Sequence, residues 1–350
     1  MLSTQSALRF GLTVCLAAGL TAIAIAAGAS APNMAVLQHW KLGGAGAWDY
    51  LSVDNKGRLF ISRSTRVDVV SIESGKLIGS IPDTDGVHGI AFAPGLNRGF
   101  TSNGRANSVT AFDLDTLKVI KEAKIAGRNP DAILYEPAGK HVFTFNGASK
   151  DVTVLDASSL AVIATIPVPD KPEFAAQDGR GQIFVNIESD PGQMLVIDAQ
   201  KLTVKSTWPL PGCNSPSGLA IDGAHRRLFS VCDGKVMAVT NAVNGKQVAL
   251  VPIGEHPDAA GYDPKRGLVY SSNGEGTLSV VHQDSADRYS VVQSVPTQRG
   301  ARTMALDGAT GKVYLVTADF GPAPPATAEQ PRPRPTLIPD SFVVLVVGEH

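Results

Sequence analysis

One phrase, repeated seven times, constrains this chain more than any other feature: a turn, a short apolar strand, a polar turn, and a strand led by an aromatic residue. Its first strand reads YLSVD at 50–54, GIAFA at 89–93, AILYE at 132–136, FAAQD at 174–178, GLAID at 218–222, AAGYD at 259–263 and TMALD at 303–307. The last residues of these stretches lie 39, 43, 42, 44, 41 and 44 residues apart, so the unit is constant while its loops vary. The second strands are led by Phe60, Phe100, Phe143, Phe184, Phe229, Tyr270 and Tyr314. Third strands follow, as at 109–113, 152–156 and 194–198, and then fourth strands, as at 119–125, 162–168 and 204–210. Four short antiparallel strands per repeat, joined by turns, make one blade, and seven of them predict an all-β, seven-bladed β-propeller.

The two ends of the repeat array complement each other. Repeat seven stops at its third strand, SFVVLVV at 341–347, while VLQHWKL at 36–42 precedes repeat one and has the form of a fourth strand. Pairing them completes the last blade with the N-terminal strand, closes the ring and removes two sheet edges. Gly 35 and Pro 23 supply the many turns, and an apolar fraction of 43% suffices for the interior. One domain over 30–350 is expected, since toroidal folds grow by repetition.

Residues 1–29 read as a secretory signal: Arg9, an apolar run from Phe10 to Ala27, and small residues up to Ala29, after which cleavage is expected. A retained anchor is the alternative. Cys15 leaves with the leader, and Cys213 and Cys232 remain as an even pair expected to form a disulfide in a periplasmic or secreted protein. A net charge of −1 gives no long-range pull towards nucleic acid or membrane, and neither is expected as a partner; a monomeric ring is.

In a propeller the first strand of each blade lines the channel, so the residue before it belongs at one mouth. Those residues are Asp49, His88, Asp131, Glu173, Ser217, Asp258 and Arg302. Loops after the second strands add Asn103, Asn146, Glu188, Asp233 and Asn273 as a wider tier. Such a funnel suits a small ligand or a divalent cation; Asp49, His88, Asp131, Glu173 and Asp258 are candidate ligands for Ca²⁺, Mg²⁺ or Mn²⁺, and His88 and Arg302 are the candidate catalytic groups. The structural alternative is ordinary turn chemistry: a carboxylate after Pro130, Pro172 or Pro257 can bond turn amides, and Asn-Gly at 103–104, 146–147 and 273–274 tolerates positive φ. A Pro-rich loop, 321–339, interrupts the last blade, is expected over the funnel side and carries Arg332 and Arg334.

KVYLVTA at 312–318, LVYSSNG at 268–274 and HVFTFNG at 141–147, each followed by a VTVLDASSL-like strand and turn, resemble the YVTN, or YncE-like, β-propeller repeats over about residues 36 to 347. The resemblance implies an exported bacterial binding protein, and related propellers include lactonases and antibiotic lyases. The literal Tyr-Val-Thr-Asn string is absent and Asn occurs in only some blades, so no ligand is carried over. No nucleophile elbow, HExxH, P-loop or dinucleotide fingerprint is present. Two functions follow as expectations: an exported protein binding a small molecule, metal ion or envelope protein at the mouth, or a metal-assisted lyase or lactonase working there.

Overall fold

A computed structural model of the chain describes residues 1–2, 32–327, 333 and 335–350. All but the first two residues of the expected leader, and both Arg332 and Arg334, lie outside them. Pro32–His350 forms one compact unit.

It is a seven-bladed β-propeller, seven sheets of four antiparallel strands. Blade 1 runs Leu51–Val53, Arg58–Arg63, Arg66–Ser71 and Leu77–Ile81 from the channel outwards. The inner strands of blades 2 to 7 are Val87–Ala93, Pro130–Glu136, Pro172–Gln177, Asn214–Asp222, Pro257–Asp263 and Met304–Leu306. Blade 7 takes its outer strand, Met34–Lys41, from the N-terminal side, paired antiparallel with Val343–Glu349 from Met34↔Glu349 to Lys41↔Val343. Gln293 of blade 6 fastens the start of that strand, accepting from Met34 N at 2.9 Å and donating to Met34 O at 2.8 Å.

The second strands are buried on both faces along almost their whole length, and their leading aromatics, Phe60, Phe100, Phe143, Phe184, Phe229, Tyr270 and Tyr314, are all 0% exposed. They contribute to seven apolar clusters, each uniting side chains of two neighbouring blades, with Tyr50 of blade 1 reaching into the one between blades 3 and 4. The cluster of Leu51, Leu59 and Ile61 with Tyr314, Val344 and Val346 joins blade 1 to blade 7, so apolar burial as well as strand pairing closes the ring. Arg63, wholly buried over the Phe342 ring, donates to the carbonyls of Gly44 at 3.1 Å and Ala45 at 3.0 Å and holds the segment that leads to Trp48 and Asp49.

Cys213 and Cys232 form a disulfide within blade 5, both fully buried. Such a bond belongs to an oxidising environment. The Pro-rich loop leaves blade 7 between Val313–Thr317 and Val343–Glu349; its base is pinned by a Phe320↔Leu337 bridge, and Phe320, Pro335 and Leu337 share a concavity with Trp48 and Arg302.

Candidate functional site

In five of the seven blades the pairing slips near the start of the inner strand. The register shifts between Val87 and Ile90, Pro130 and Ile133, Pro172 and Ala175, Pro216 and Leu219, and Pro257 and Ala259. Each irregularity contains one mouth residue: His88, Asp131, Glu173, Ser217 or Asp258. A bulge frees its extra residue from the ladder and re-aims the side chain, which turns these five towards the channel. In blades 1 and 7, Asp49 and Arg302 precede inner strands of only three residues and need no bulge.

The backbone of this ring is gripped from the neighbouring strands. Ser62 Oγ accepts from Asp49 N at 2.8 Å, and Ser102 Oγ accepts from Gly89 N at 2.9 Å while donating to Asp131 O of the next blade. Asn186 donates to Ser217 O at 2.8 Å, Ser217 Oγ to Pro257 O at 2.9 Å, and Ser272 Oγ to Arg302 O. Ser217 is thereby spent on structure.

All seven mouth residues line one cavity of about 490 Å³, together with Lys171, Glu188, Ser215, Asp233, His256 and Pro257. His88 Nδ1 lies 2.5 Å from Asp49 Oδ2 and 3.7 Å from Asp131 Oδ1. Lys171 Nζ pairs with Glu173 Oε2 at 2.8 Å and with Glu188, and Arg302 Nε lies 3.2 Å from Asp258 Oδ2. Asp131 and Glu173 are 7% and 9% exposed, and Asp131 Oδ1 has no hydrogen-bond partner.

Crowding and burial shift these groups in a common sense. Burial pushes the carboxyls of Asp131 and Glu173 up, Asp131 against the pull of His88 and Glu173 with the added repulsion of Asp131. Asp258 is pushed up to about 7, by burial first, against Arg302 and with Asp49 and Asp131 adding to it. Burial alone would lower His88, but its hydrogen bond to Asp49 and the charges of Asp131, Asp49 and Glu173 outweigh that and raise it to about 8. Tyr50 packs 5.1 Å from Phe174 of blade 4, and burial plus the charges of Asp131, Glu173, Asp49 and Asp258 hold its phenol protonated.

The wider tier divides. Glu188 and Asp233 line the cavity. Asn103, Asn146 and Asn273 do not; each is 0% exposed and ties the end of its second strand to the third, donating to Thr110 Oγ1 at 2.8 Å, Thr153 Oγ1 at 2.8 Å and Ser279 Oγ at 3.0 Å. The positive φ expected of those Asn-Gly pairs is absent too, taken instead by Asn107, Lys150 and Gly276. The expected metal set also narrows. Asp49, His88 and Asp131 bring one ligand atom each within 4.8 Å of one another, whereas Glu173 and Asp258 are engaged by Lys171 and Arg302. Asp85, near His88 in sequence, pairs with Arg105 instead. Lys171 and Ser215 escaped sequence reasoning; Lys171, two residues before Glu173, carried the one available signal.

No protein-family profile matches the chain, and no curated protein matches it in sequence. Solved structures do. A chain of the Kuenenia stuttgartiensis hydrazine synthase is similar with a TM-score of 0.69 and 17% identity, over 77% of this chain and 92% of that one. A chain from the crystal structure of a mitotic checkpoint complex is similar with a TM-score of 0.73 and 13% identity, over 98% of both. At such identities the likeness is one of architecture, and what this chain and its structural neighbours have in common is the β-propeller itself.

Proposed function

We propose that the chain is an exported binding propeller that takes a small cationic ligand, an organic ammonium or a metal ion, into the mouth of its channel. The observation that carries this reading is the balance of charge there: the carboxyl groups of Asp49, Asp131, Glu173, Glu188, Asp233 and Asp258 outnumber the cationic Lys171, Arg302 and His88 around one cavity, and the buried Asp131 Oδ1 lacks a hydrogen-bond partner. Buried carboxylates in excess of their partners are costly until a cation neutralises them. The leader-like residues 1–29 and the disulfide support export, and the phrases at 141–147, 268–274 and 312–318 support grouping the chain with the YVTN, or YncE-like, repeats.

The test is calorimetric titration with putrescine, a small organic dication, in the presence of chelator. Saturable binding is expected that weakens at least about tenfold in a Glu173→Gln, Asp258→Asn double variant and fades with added salt. Binding that ignores both changes, or none at all, ends the organic-ammonium reading.

A metal-assisted lyase or lactonase is the second reading, favoured by Glu173: a carboxyl that burial holds protonated beside Lys171 is placed to donate a proton within the cavity. Turnover of a lactone that is lost in Glu173→Gln would support it, and a panel of lactones left intact would remove it.

A further inference from the structure

On one side of the mouth three consecutive blades present Asp49, His88 and Asp131, with one ligand atom from each inside 4.8 Å of the others. A cluster of this kind gains meaning from what surrounds it. Asp131, which lines the cavity, is 7% exposed, and its buried Oδ1 has no hydrogen-bond partner. The neighbouring cationic groups are engaged elsewhere: His88, 3.7 Å from it, bonds Asp49 at 2.5 Å, Lys171 pairs with Glu173 and Glu188, and Arg302 with Asp258. The imidazole is also backed into place. A Cβ on Gly104 would stand 2.6 Å from His88 Nε2 and 2.6 Å from Asn129 Oδ1, so only glycine there leaves room for the ring to present Nδ1 to the two carboxylates.

We infer that Asp49, His88 and Asp131 bind a divalent first-row transition-metal ion, of the Mn²⁺ or Zn²⁺ kind, with its remaining positions open to the cavity. Ca²⁺ calls for six to eight oxygens and Mg²⁺ for a shell of oxygens and waters, whereas one imidazole nitrogen with two carboxylates suits the first-row ions. The spacing needs little adjustment. Ligand atoms about 2.1 Å from a common ion lie about 3 Å apart, so the 2.5 Å contact between His88 and Asp49 opens slightly and the 3.7 Å gap to Asp131 closes. The ion replaces the hydrogen that His88 and Asp49 share, which leaves to solvent.

This inference rests on the mouth being a cation site, and the experiment separates the two. Untagged full-length protein, stripped with chelator and dialysed, is titrated with Mn²⁺ followed by electron paramagnetic resonance and with Zn²⁺ followed by calorimetry. One saturable site per chain is expected, weakened at least about tenfold by either Asp131→Asn or His88→Gln and changed far less by Glu173→Gln. Absence of saturable binding, or equal affinity in the Asp131 and His88 variants, overturns the metal site. If putrescine still binds chelated protein in that event, the acidic mouth stands without its metal; if both ligands fail, both readings fall.

Discussion

Asp258 shows what the mouth demands of a single residue. Its carboxyl releases a proton near 4 in the unfolded chain but is held up to about 7 in the fold, by burial before all else, with Arg302 only 3.2 Å away. Between those values the folded protein binds the extra proton, so this group's contribution to stability is complete below about pH 4 and is lost as pH rises through about 7. Raised to about 8, His88 acts in the same sense, its contribution present below its unfolded value of 6.5 and lost as pH climbs through about 8. Urea unfolding of chelated protein between about pH 4.5 and 8 should therefore record falling stability. Asp258→Asn should flatten that fall, and a slope identical to wild type would mean that Asp258 is not the buried acid described.

Among the elements, the start of the inner strand is where framework and site meet. A bulge points one side chain into the channel, and a hydroxyl or amide from a second strand holds the backbone around it. Blade 5 adds a covalent brace beside Ser217. Breaking the disulfide with Cys213→Ala and Cys232→Ala, a sequence separation of 19, should cost about 3 kcal/mol in denaturant unfolding. A loss below about 1 kcal/mol would show that the neighbouring sheets already fix the segment. Bulges also explain which parts of the site were legible in sequence. The residues before the first strands and the aromatic leaders could both be named because the repeat aligns them. Asn103, Asn146 and Asn273 could not be sorted from Glu188 and Asp233, since a step of one residue at a strand end decides between blade interior and cavity. Likewise, nothing in the sequence announces that Lys171 folds onto Glu173 and Glu188, a contact set by loop geometry between blades 3 and 4.

The molecule as a whole depends on a joint made from residues at opposite ends of the repeat array, a joint that the leftover strand made readable. Removing residues 34–41 would bare the Val343–Glu349 edge and strip Met34 from the cluster shared by blades 6 and 7. The melting temperature should drop by at least about 10 °C, with association that grows with concentration; unaltered melting would mean that the apolar contact between blades 1 and 7 suffices alone. The bulged starts have a different consequence at this scale. A residue that the pairing skips is freed from the ladder of the sheet that bears it, and five of the seven blades offer such a position to the rim. Exchange at those positions can retune what the channel admits while the scaffold keeps its strength, which makes the mouth a dial with many settings mounted on an unchanging wheel.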